Sequence, residues 1–247
     1  MNEVRQSFDR RSSYFSEESI WSANAQLNSL TAKILLDSLS GCGRAIEVLD
    51  YGAGNGQVAA ELSRRGMVVD VADISEAMLS LCTMARNRYN VIRDVIYQRY
   101  DAVVLRQVLQ YVYEVEWPDF VSQLLGYLKQ GGVLLFSQIV PYCSIDYGFW
   151  RDLVSERRRA RRSYPTENEY FRLIAEIGAT PLQFLRSTTR QSLRAWIERE
   201  KPALQIELRR ILDNRSASVN AIWAFKYEYD GDLTWRNNWV HILVTSS

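Results

Sequence analysis

The sequence predicts an α/β fold in which helices cover both faces of a mostly parallel β-sheet. Between residues 45 and 140, short apolar runs alternate with amphipathic segments, which is the order of strand–helix–strand units. The apolar runs are continuous and rich in β-branched residues, as strands buried on both faces are. The same alternation continues less regularly toward the end of the chain.

The individual elements follow from hydrophobic periodicity and from the glycines and prolines that end it. Strands are expected at residues 45–51, 67–72, 100–105, 133–140, 181–185 and 239–244. Helices are expected at residues 27–39, 57–65, 76–86, 119–128 and 166–177, and a further helical stretch at 193–212 is interrupted at Pro202. Residues 217–229 fit either a strand or a helix.

Length, composition and charge limit the classes of protein that fit. A chain of 247 residues favours one large α/β domain, and 47% hydrophobic residues can supply its core. The net charge of +1 argues against a dedicated nucleic-acid surface. The basic run at residues 156–162 fits one face of a cover helix better than an RNA-binding patch.

Targeting and cysteine patterns predict a cytoplasmic protein. The N-terminus is charged and lacks the apolar stretch of a signal peptide. No run approaches the roughly 18 apolar residues that a membrane span needs. Cys42, Cys82 and Cys143 are odd in number and widely spaced, which excludes a disulfide framework and fits a reducing compartment.

The single histidine and the scattered cysteines also argue against a metal site, because they cannot supply four tetrahedral ligands. His241 lies in an apolar strand. A satisfied, half-buried histidine is the more common occupant of such a position than a general base.

A glycine-rich loop follows the first expected strand. Gly52, Gly54 and Gly56 stand between that strand and a helix that begins at once. Glycines permit the tight turn and let the backbone approach a ligand without a Cβ in the way, and the helix N-terminus supplies unpaired N–H groups. The spacing is G-x-G-x-G instead of the G-x-G-x-x-G that meets a pyrophosphate, and it suits a ligand with a carboxylate and an uncharged ribose.

An acid stands where a ribose-binding residue is expected. Asp73 ends the second strand, about 20 residues after the first glycine, and a carboxylate there can accept hydrogen bonds from both ribose hydroxyls. Strand, loop, helix, strand and terminal acid in one register indicate an adenosine-containing ligand. The alternative interpretation is a turn followed by a helix-capping aspartate.

Four segments resemble motifs of the class I S-adenosylmethionine (SAM)-dependent methyltransferases. EVLDYGAGNG resembles their first motif, and DVADISEAML resembles their second-strand acid with the helix after it. YDAVVLRQVLQYV resembles the fourth-strand motif, and LKQGGVLLFSQIV the helix, turn and strand that follow. FDRRSSYF is similar to the N-terminal segment of small-molecule members related to the ubiquinone and biotin pathway enzymes. The resemblance implies a Rossmann-like, seven-stranded, mostly parallel sheet with helices on both faces and an added helical, aromatic cap.

The resemblance also implies how the chain is divided. Residues 1–40 would form an N-terminal helical lid segment, and residues 41–247 a Rossmann-like SAM-binding domain. Within that domain we expect a cap insertion at about residues 142–172 and a helical insertion at about 190–214. The aromatic residues of the cap either attract the sulfonium through cation–π contact or form the packing core of the cap.

The resemblance assigns residues to the cofactor SAM. They are Tyr14, Asp50, Gly52, Ala53, Gly54, Gly56, Asp73, Ile74, Asp94, Leu105 and Arg106. Asp50 and the glycine loop would hold the amino-acid part, and Asp73 would bind the ribose. Ile74 would pack on the adenine, with Asp94 near the adenine amino group. Tyr14 would cover the methionine end from the lid.

The acceptor side of the site is expected just past the fourth strand. Arg106 and Gln107 would line its mouth, where the substrate is read. Gln107 and Tyr111 are the candidate catalytic residues, and Tyr111, His241 or a tyrosine of the cap could deprotonate an acceptor that needs it.

Three functions fit these features. The first is methyl transfer to a small molecule, such as a secondary metabolite, for which the protein supplies alignment and desolvation. In the second, the amine of SAM attacks its own side-chain carbon and releases methylthioadenosine and a small cyclic amino acid. In the third, SAM is bound without turnover. We expect methyl transfer by a monomer or homodimer that has no nucleic-acid or membrane partner.

Overall fold

The computed structural model describes residues 2–10, 12, 25–90, 97–141, 165–192, 202–207, 209–210, 225–227 and 233–245. Its named helices are α1 (Asn2–Asp9), α2 (Ala25–Ser38), α3 (Gln57–Arg64), α4 (Glu76–Ser80), α5 (Trp117–Gly126) and α6 (Glu167–Glu176), with 3-10 turns at Leu109–Tyr111 and Glu114–Glu116. Its strands are β1 (Glu47–Tyr51), β2 (Val68–Asp73), β3 (Arg88–Asn90), β4 (Tyr100–Arg106), β5 (Leu128–Val140), β6 (Thr180–Ser192), β7 (Phe225–Tyr227) and β8 (Leu233–Thr245).

One mixed sheet holds these strands in the order β3-β2-β1-β4-β5-β8-β6, and the short β7 pairs with β8. Strands β1 to β5 are mutually parallel, and β8 runs antiparallel between β5 and β6. This confirms the predicted seven-stranded, mostly parallel sheet, with β7 as an addition. The strand order reverses between β1 and β4, and open α/β sheets bind ligands in the crevice at such a point.

Different helices cover the two faces of the sheet. On one face, Leu35 of α2 and Leu62 of α3 pack against Val48 of β1. On the other, Leu124 of α5 and Tyr170 of α6 join a second apolar cluster. Helices on both faces confirm the predicted layer arrangement. Within the described residues, no helix is long and apolar enough to cross a membrane.

The helix expected at residues 76–86 is shorter than predicted. It ends at Ser80, and the chain then turns back to the edge of the sheet. The N–H of Arg86 donates to the carbonyl oxygen of Val69 at 2.7 Å, and its guanidinium bonds both oxygens of the buried Asp70 at 2.8 Å each. Since these contacts hold Arg86 at the strand edge, the helix cannot continue to it. The next residues form the edge strand β3, which the sequence did not predict.

The antiparallel strands β6 and β8 are longer than the strands predicted at 181–185 and 239–244. Val140, the last residue of β5, pairs with Asn238, so β8 begins five residues beyond the end of its neighbour. The earlier part of β8 and the later part of β6 pair with each other out to Ser192 and Thr234. The pair β6 and β8 therefore extends past the carboxyl end of β5, at the edge of the sheet where the crevice lies.

The predicted insertions lie largely outside the described residues. Of the cap at about 142–172, the structure describes residues 165–172, which include the start of α6. Thr166 begins this helix with a capping box: its side chain accepts from the N–H of Glu169, and the side chain of Glu169 accepts from the N–H of Thr166. In the insertion at about 190–214, β6 continues to Ser192, and residues 202–207 and 209–210 are helical.

Candidate cofactor crevice

The glycine loop forms the floor of the crevice. Gly52, Gly54 and Gly56 have φ values of +76°, +56° and +75°, a region that residues with a Cβ seldom adopt. The N–H groups of Gly52 and Ala53 donate to the carbonyl oxygen of Ala72 at 2.7 and 3.2 Å. The loop is thereby fastened to the end of β2, next to Asp73.

The surroundings of the three glycines differ. A Cβ on Gly52 would lie 2.2 Å from Cγ2 of Val108, and one on Gly56 would lie 2.8 Å from Sγ of Cys82. A Cβ on Gly54 would meet nothing within 4 Å. The packing of the protein itself therefore requires the first and third glycines, whereas the middle one faces open space where a ligand could approach the backbone.

Gly54→Ala should therefore affect mainly ligand binding, and Gly56→Ala mainly stability. Gly54→Ala costs the fold about 1–2 kcal/mol of left-handed backbone strain and lowers affinity for S-adenosylhomocysteine roughly tenfold or more, because the methyl fills the ligand's space. Gly56→Ala overpacks Cys82 and lowers the free energy of unfolding by more than that strain alone. Thermal unfolding and calorimetric titration separate the two effects. Full affinity in folded Gly54→Ala would show that the loop does not contact the cofactor.

Asp73 fastens the loop from the side. Its Oδ2 accepts from the N–H of Gly54 and its Oδ1 accepts from the N–H of Ser75, each at 2.9 Å. Burial raises the pKa of Asp73, against these N–H donors. Ser75 in turn caps α4 by accepting from the N–H of Met78 at 3.1 Å. Each carboxylate oxygen has two acceptor positions, so Asp73 braces the loop and retains capacity for a ribose hydroxyl.

Asp73→Ala should weaken binding of S-adenosylhomocysteine by about 1.5–3 kcal/mol, the worth of a charge-assisted hydrogen bond. The variant also leaves the N–H groups of Gly54 and Ser75 without their acceptor. The 2′-deoxy analogue of the ligand therefore serves as the control. Loss of the 2′-hydroxyl should weaken binding to the wild type and not to Asp73→Ala. An equal loss in both proteins by calorimetry would remove Asp73 from the ribose role.

A buried acid and a buried cation lie behind the loop, on the face of the sheet that α2 and α3 cover. Asp50, in β1, accepts from the N–H of Ala59 in the first turn of α3, and its Oδ2 has no hydrogen-bond partner in the part of the chain that the structure describes. Burial raises the pKa of Asp50 to about 7, although Arg106 opposes this. Burial likewise lowers the pKa of Arg106 to about 10, although Asp50 opposes this. The attraction between the two charges therefore does not offset the full cost of burying either of them.

Arg106 ends β4 and is held by two contacts that the sequence analysis did not foresee. Its Nη1 donates to Oδ1 of Asn28 in the first turn of α2, and its guanidinium lies 5.7 Å from the ring centre of Trp239. Both partners are buried. The cation therefore has a fixed position beside the crevice.

His241 has the satisfied environment that was predicted. Its Nδ1 is 3.0 Å from Oγ of Ser137 and its Nε2 is 2.8 Å from Oγ of Ser187. It is 1% exposed, so it is fully buried and not half-buried. Burial lowers its pKa to about 4. Since both ring nitrogens are engaged, His241 is a structural residue and a poor general base.

The two candidate catalytic residues stand just past β4. Gln107 has a left-handed backbone with φ of +57°, fixed by donation from its N–H to the carbonyl oxygen of Ser137 at 3.1 Å. Tyr111 meets the ring of Phe8 edge-on, with ring centres 5.4 Å apart. Leu105 directs its side chain into the apolar core, so only its backbone could contact a cofactor. Ile74 is half-buried after Asp73.

Two glutamines beside Gln107 were missed. Nε2 of Gln138 donates to Oε1 of Gln107 at 3.1 Å and to Oε1 of Gln110 at 3.4 Å. Gln107 and Gln110 are three residues apart, and Arg106 pairs with Ser137 in parallel register. That register brings the ends of both strands together, and it is the signal that could have indicated this cluster.

The last turn of helix α1 contacts residues on both sides of the crevice. At one end of its last turn, Phe8 contacts Tyr111 on the β4 side. Next to it, Asp9 accepts from Oγ of Ser75 at 2.6 Å on the β2 side. Val4 and Ser7, which belong to α1, are buried. The contacts join both walls of the crevice.

Two predicted cofactor residues, Tyr14 and Asp94, lie outside the described residues. Where side chains are described, no cluster of three or more His, Cys, Asp or Glu residues could hold a metal ion.

Comparison with known proteins agrees with this geometry. Residues 23–199 match a family model described as a methyltransferase domain, which is most of the chain. The protein therefore belongs to this methyltransferase family, and its cofactor is SAM. No curated protein sequence gave a significant match.

Solved structures share the fold at low sequence identity. The YcgJ protein from Bacillus subtilis is 15% identical, with a TM-score of 0.73 over 90% of this chain and 99% of that one. The Burkholderia thailandensis 1,6-didemethyltoxoflavin-N1-methyltransferase is 16% identical, with a TM-score of 0.59 over 100% of this chain and 88% of that one. The Synechocystis magnesium protoporphyrin IX methyltransferase is 15% identical, with a TM-score of 0.59 over 98% of both chains.

Proposed function

We propose that this SAM-dependent methyltransferase acts on a small molecule, and that the crevice between β1 and β4 holds the reacting groups. The observation that carries the proposal is the open space at Gly54, framed by a carboxylate on the β2 side and by polar side chains past β4. Two structural neighbours named above, for 1,6-didemethyltoxoflavin and magnesium protoporphyrin IX, are named for small-molecule substrates.

The residues present fit the charge distribution of SAM. Asp73 stands where it can accept from ribose hydroxyls, and Gly54 leaves room for the backbone to meet the amino-acid part. Asp50 and Arg106 are a buried acid and a buried cation behind the loop. The methionine end of SAM carries an ammonium and a carboxylate, which this acid and this cation can attract by Coulomb interaction.

The protein's contribution to transfer would be alignment and exclusion of water. When bound, SAM supplies an activated methyl group with its own leaving group. Gln107 and Tyr111 would position the acceptor opposite that methyl, and α1 would close over both. His241 cannot serve as the base, because both ring nitrogens are engaged.

The pH dependence of binding tests the role of Asp50. Its pKa of about 7 means that it is protonated in a growing fraction of free protein as the pH falls. An ammonium favours the ionised acid, so affinity for S-adenosylhomocysteine should fall toward tenfold per pH unit below about pH 7. Asp50→Asn should abolish this slope. Asp73, Arg106 and the N–H of Ala59 stay in place in the variant, so a slope that persists would contradict the assignment.

We further propose that α1 is part of the predicted lid. Phe8→Ala removes its contact with Tyr111, and the dissociation rate of S-adenosylhomocysteine should rise roughly tenfold with little change in thermal stability. Arg5→Ala, at an exposed position on the same helix, is the matched control. Hydrogen exchange of residues 2–10 should slow when the ligand is added. Unchanged exchange and unchanged dissociation would make α1 ordinary packing.

One experiment separates methyl transfer from the other two functions. The protein is incubated with SAM, first alone and then with pools of small-molecule nucleophiles, and both nucleoside and amino-acid products are measured by mass spectrometry. S-adenosylhomocysteine that forms only with an acceptor supports the proposal. Methylthioadenosine formed from SAM alone would indicate cyclisation, and bound SAM with no product would indicate a binding protein.

A further inference from the structure

Three glutamine side chains meet where β4 and β5 end, and their hydrogen bonds fix which end of each amide points where. Nε2 of Gln110 donates to the backbone carbonyl oxygen of Gln107 at 3.2 Å. A carbonyl oxygen only accepts, so the nitrogen of Gln110 must face it and the oxygen of Gln110 must face away.

The remaining two orientations follow from that one. The oxygen of Gln110 cannot donate, so the amide 3.4 Å from it, that of Gln138, must present its nitrogen. The same nitrogen lies 3.1 Å from the side chain of Gln107, which must therefore present its oxygen. Rotating any one of the three amides would set two donors or two acceptors against each other. The Nε2 group of Gln107 is consequently directed away from the cluster as a donor.

This donor is buried from solvent and has no hydrogen-bond partner among the described residues. A buried donor without a partner is unfavourable, because it has given up its hydrogen bonds to water without replacing them. The same residue has a left-handed backbone, which is also unfavourable for a side chain with a Cβ. Two unfavourable features at one residue beside a ligand crevice indicate a position shaped for a ligand.

Gln107 stands next to the cofactor loop. Leu105 pairs with Tyr51 in the parallel register of β4 and β1, so the residues that follow both strands run side by side. Val108 packs directly against Gly52. A molecule that satisfies Nε2 of Gln107 would therefore lie beside the loop, on the side that Tyr111 and Phe8 cover.

We propose that Gln107 reads the methyl acceptor by donating to a carbonyl or carboxylate oxygen next to its nucleophilic atom, and that Gln110 and Gln138 are positioning residues that hold the donor outward. The acceptor is accordingly a small molecule with such an oxygen. A carboxamide does not ionise near neutral pH, so this cluster orients the nucleophile and does not deprotonate it. The assignment rests on the proposed function, since it presupposes an acceptor.

The test observes the side-chain NH₂ resonances of Gln107 in ¹⁵N-labelled protein, assigned by their loss in Gln107→Met. The protein is saturated with S-adenosylhomocysteine and titrated with acetone, acetate or methylammonium, which offer a neutral carbonyl, a carboxylate or a donor alone. Acetone or acetate should shift the Gln107 pair, and methylammonium should not. The NH₂ pair of Gln123 is the internal control. Gln123 lies on α5 and donates to the hydroxyl of Tyr127, just after the end of that helix.

Gln138→Met tests the positioning role, with Gln123→Met as the matched substitution. Loss of the bond that holds Gln107 should weaken its response to acetate about threefold or more, whereas Gln123→Met should leave it unchanged. The proposal is overturned if neither oxygen compound shifts the Gln107 pair, or if methylammonium shifts it equally. It is also overturned if S-adenosylhomocysteine alone saturates the shift, because the donor would then belong to the cofactor. Calorimetry on the same samples reports cofactor binding, so a failure of the proposed function is recognised separately.

Discussion

The crevice depends on one buried carboxylate. Asp73 accepts from the N–H of Gly54 with one oxygen and from the N–H of Ser75 with the other, at 2.9 Å each. The first bond holds a left-handed loop in place, and the second fixes the start of α4. Through the hydroxyl of Ser75 the same unit reaches Asp9 of helix α1. The glycine loop, α4 and α1 are thus connected through Asp73 and Ser75, which lie at and just after the end of β2.

A second constraint is electrostatic. Asp50 and Arg106 are buried on the same side of the sheet. Burial raises the pKa of Asp50 and lowers the pKa of Arg106, so it favours the neutral form of each side chain in spite of the other's charge. Asp50 is held by the first turn of α3, and Arg106 by Asn28 and Trp239. Side chains held in this way lose little conformational freedom when a ligand binds, which reduces the cost of binding.

The sequence was sufficient for the central strands of the sheet and for the glycine loop, because buried parallel strands are continuous apolar runs and the loop's glycines lie close together in the chain. It was insufficient where distant residues decide the local structure. Helix α4 ends early because Asp70 binds Arg86, sixteen positions away. Helix α1 has only eight residues, too few for stability by itself, and depends on docking through Phe8 and Asp9.

The site shows the same division. Asp73 and Asp50 could be assigned from motifs, whereas periodicity could not tell that Gly52 and Gly56 serve packing and Gly54 faces open space. The amide cluster depends on the register between β4 and β5, which places Gln138 beside Gln107 across thirty-one positions. Such contacts follow from strand pairing and are not visible in a single segment.

The most direct test of the account is a crystal structure of the protein with S-adenosylhomocysteine. We expect the ribose hydroxyls of S-adenosylhomocysteine to lie within about 3.2 Å of the Asp73 carboxylate. The homocysteine part should pass over Gly54, with its ammonium toward Asp50 and its sulfur open toward Gln107. A ligand bound elsewhere, or one in this crevice that leaves Asp73 bonded only to the backbone of Gly54 and Ser75, would contradict it.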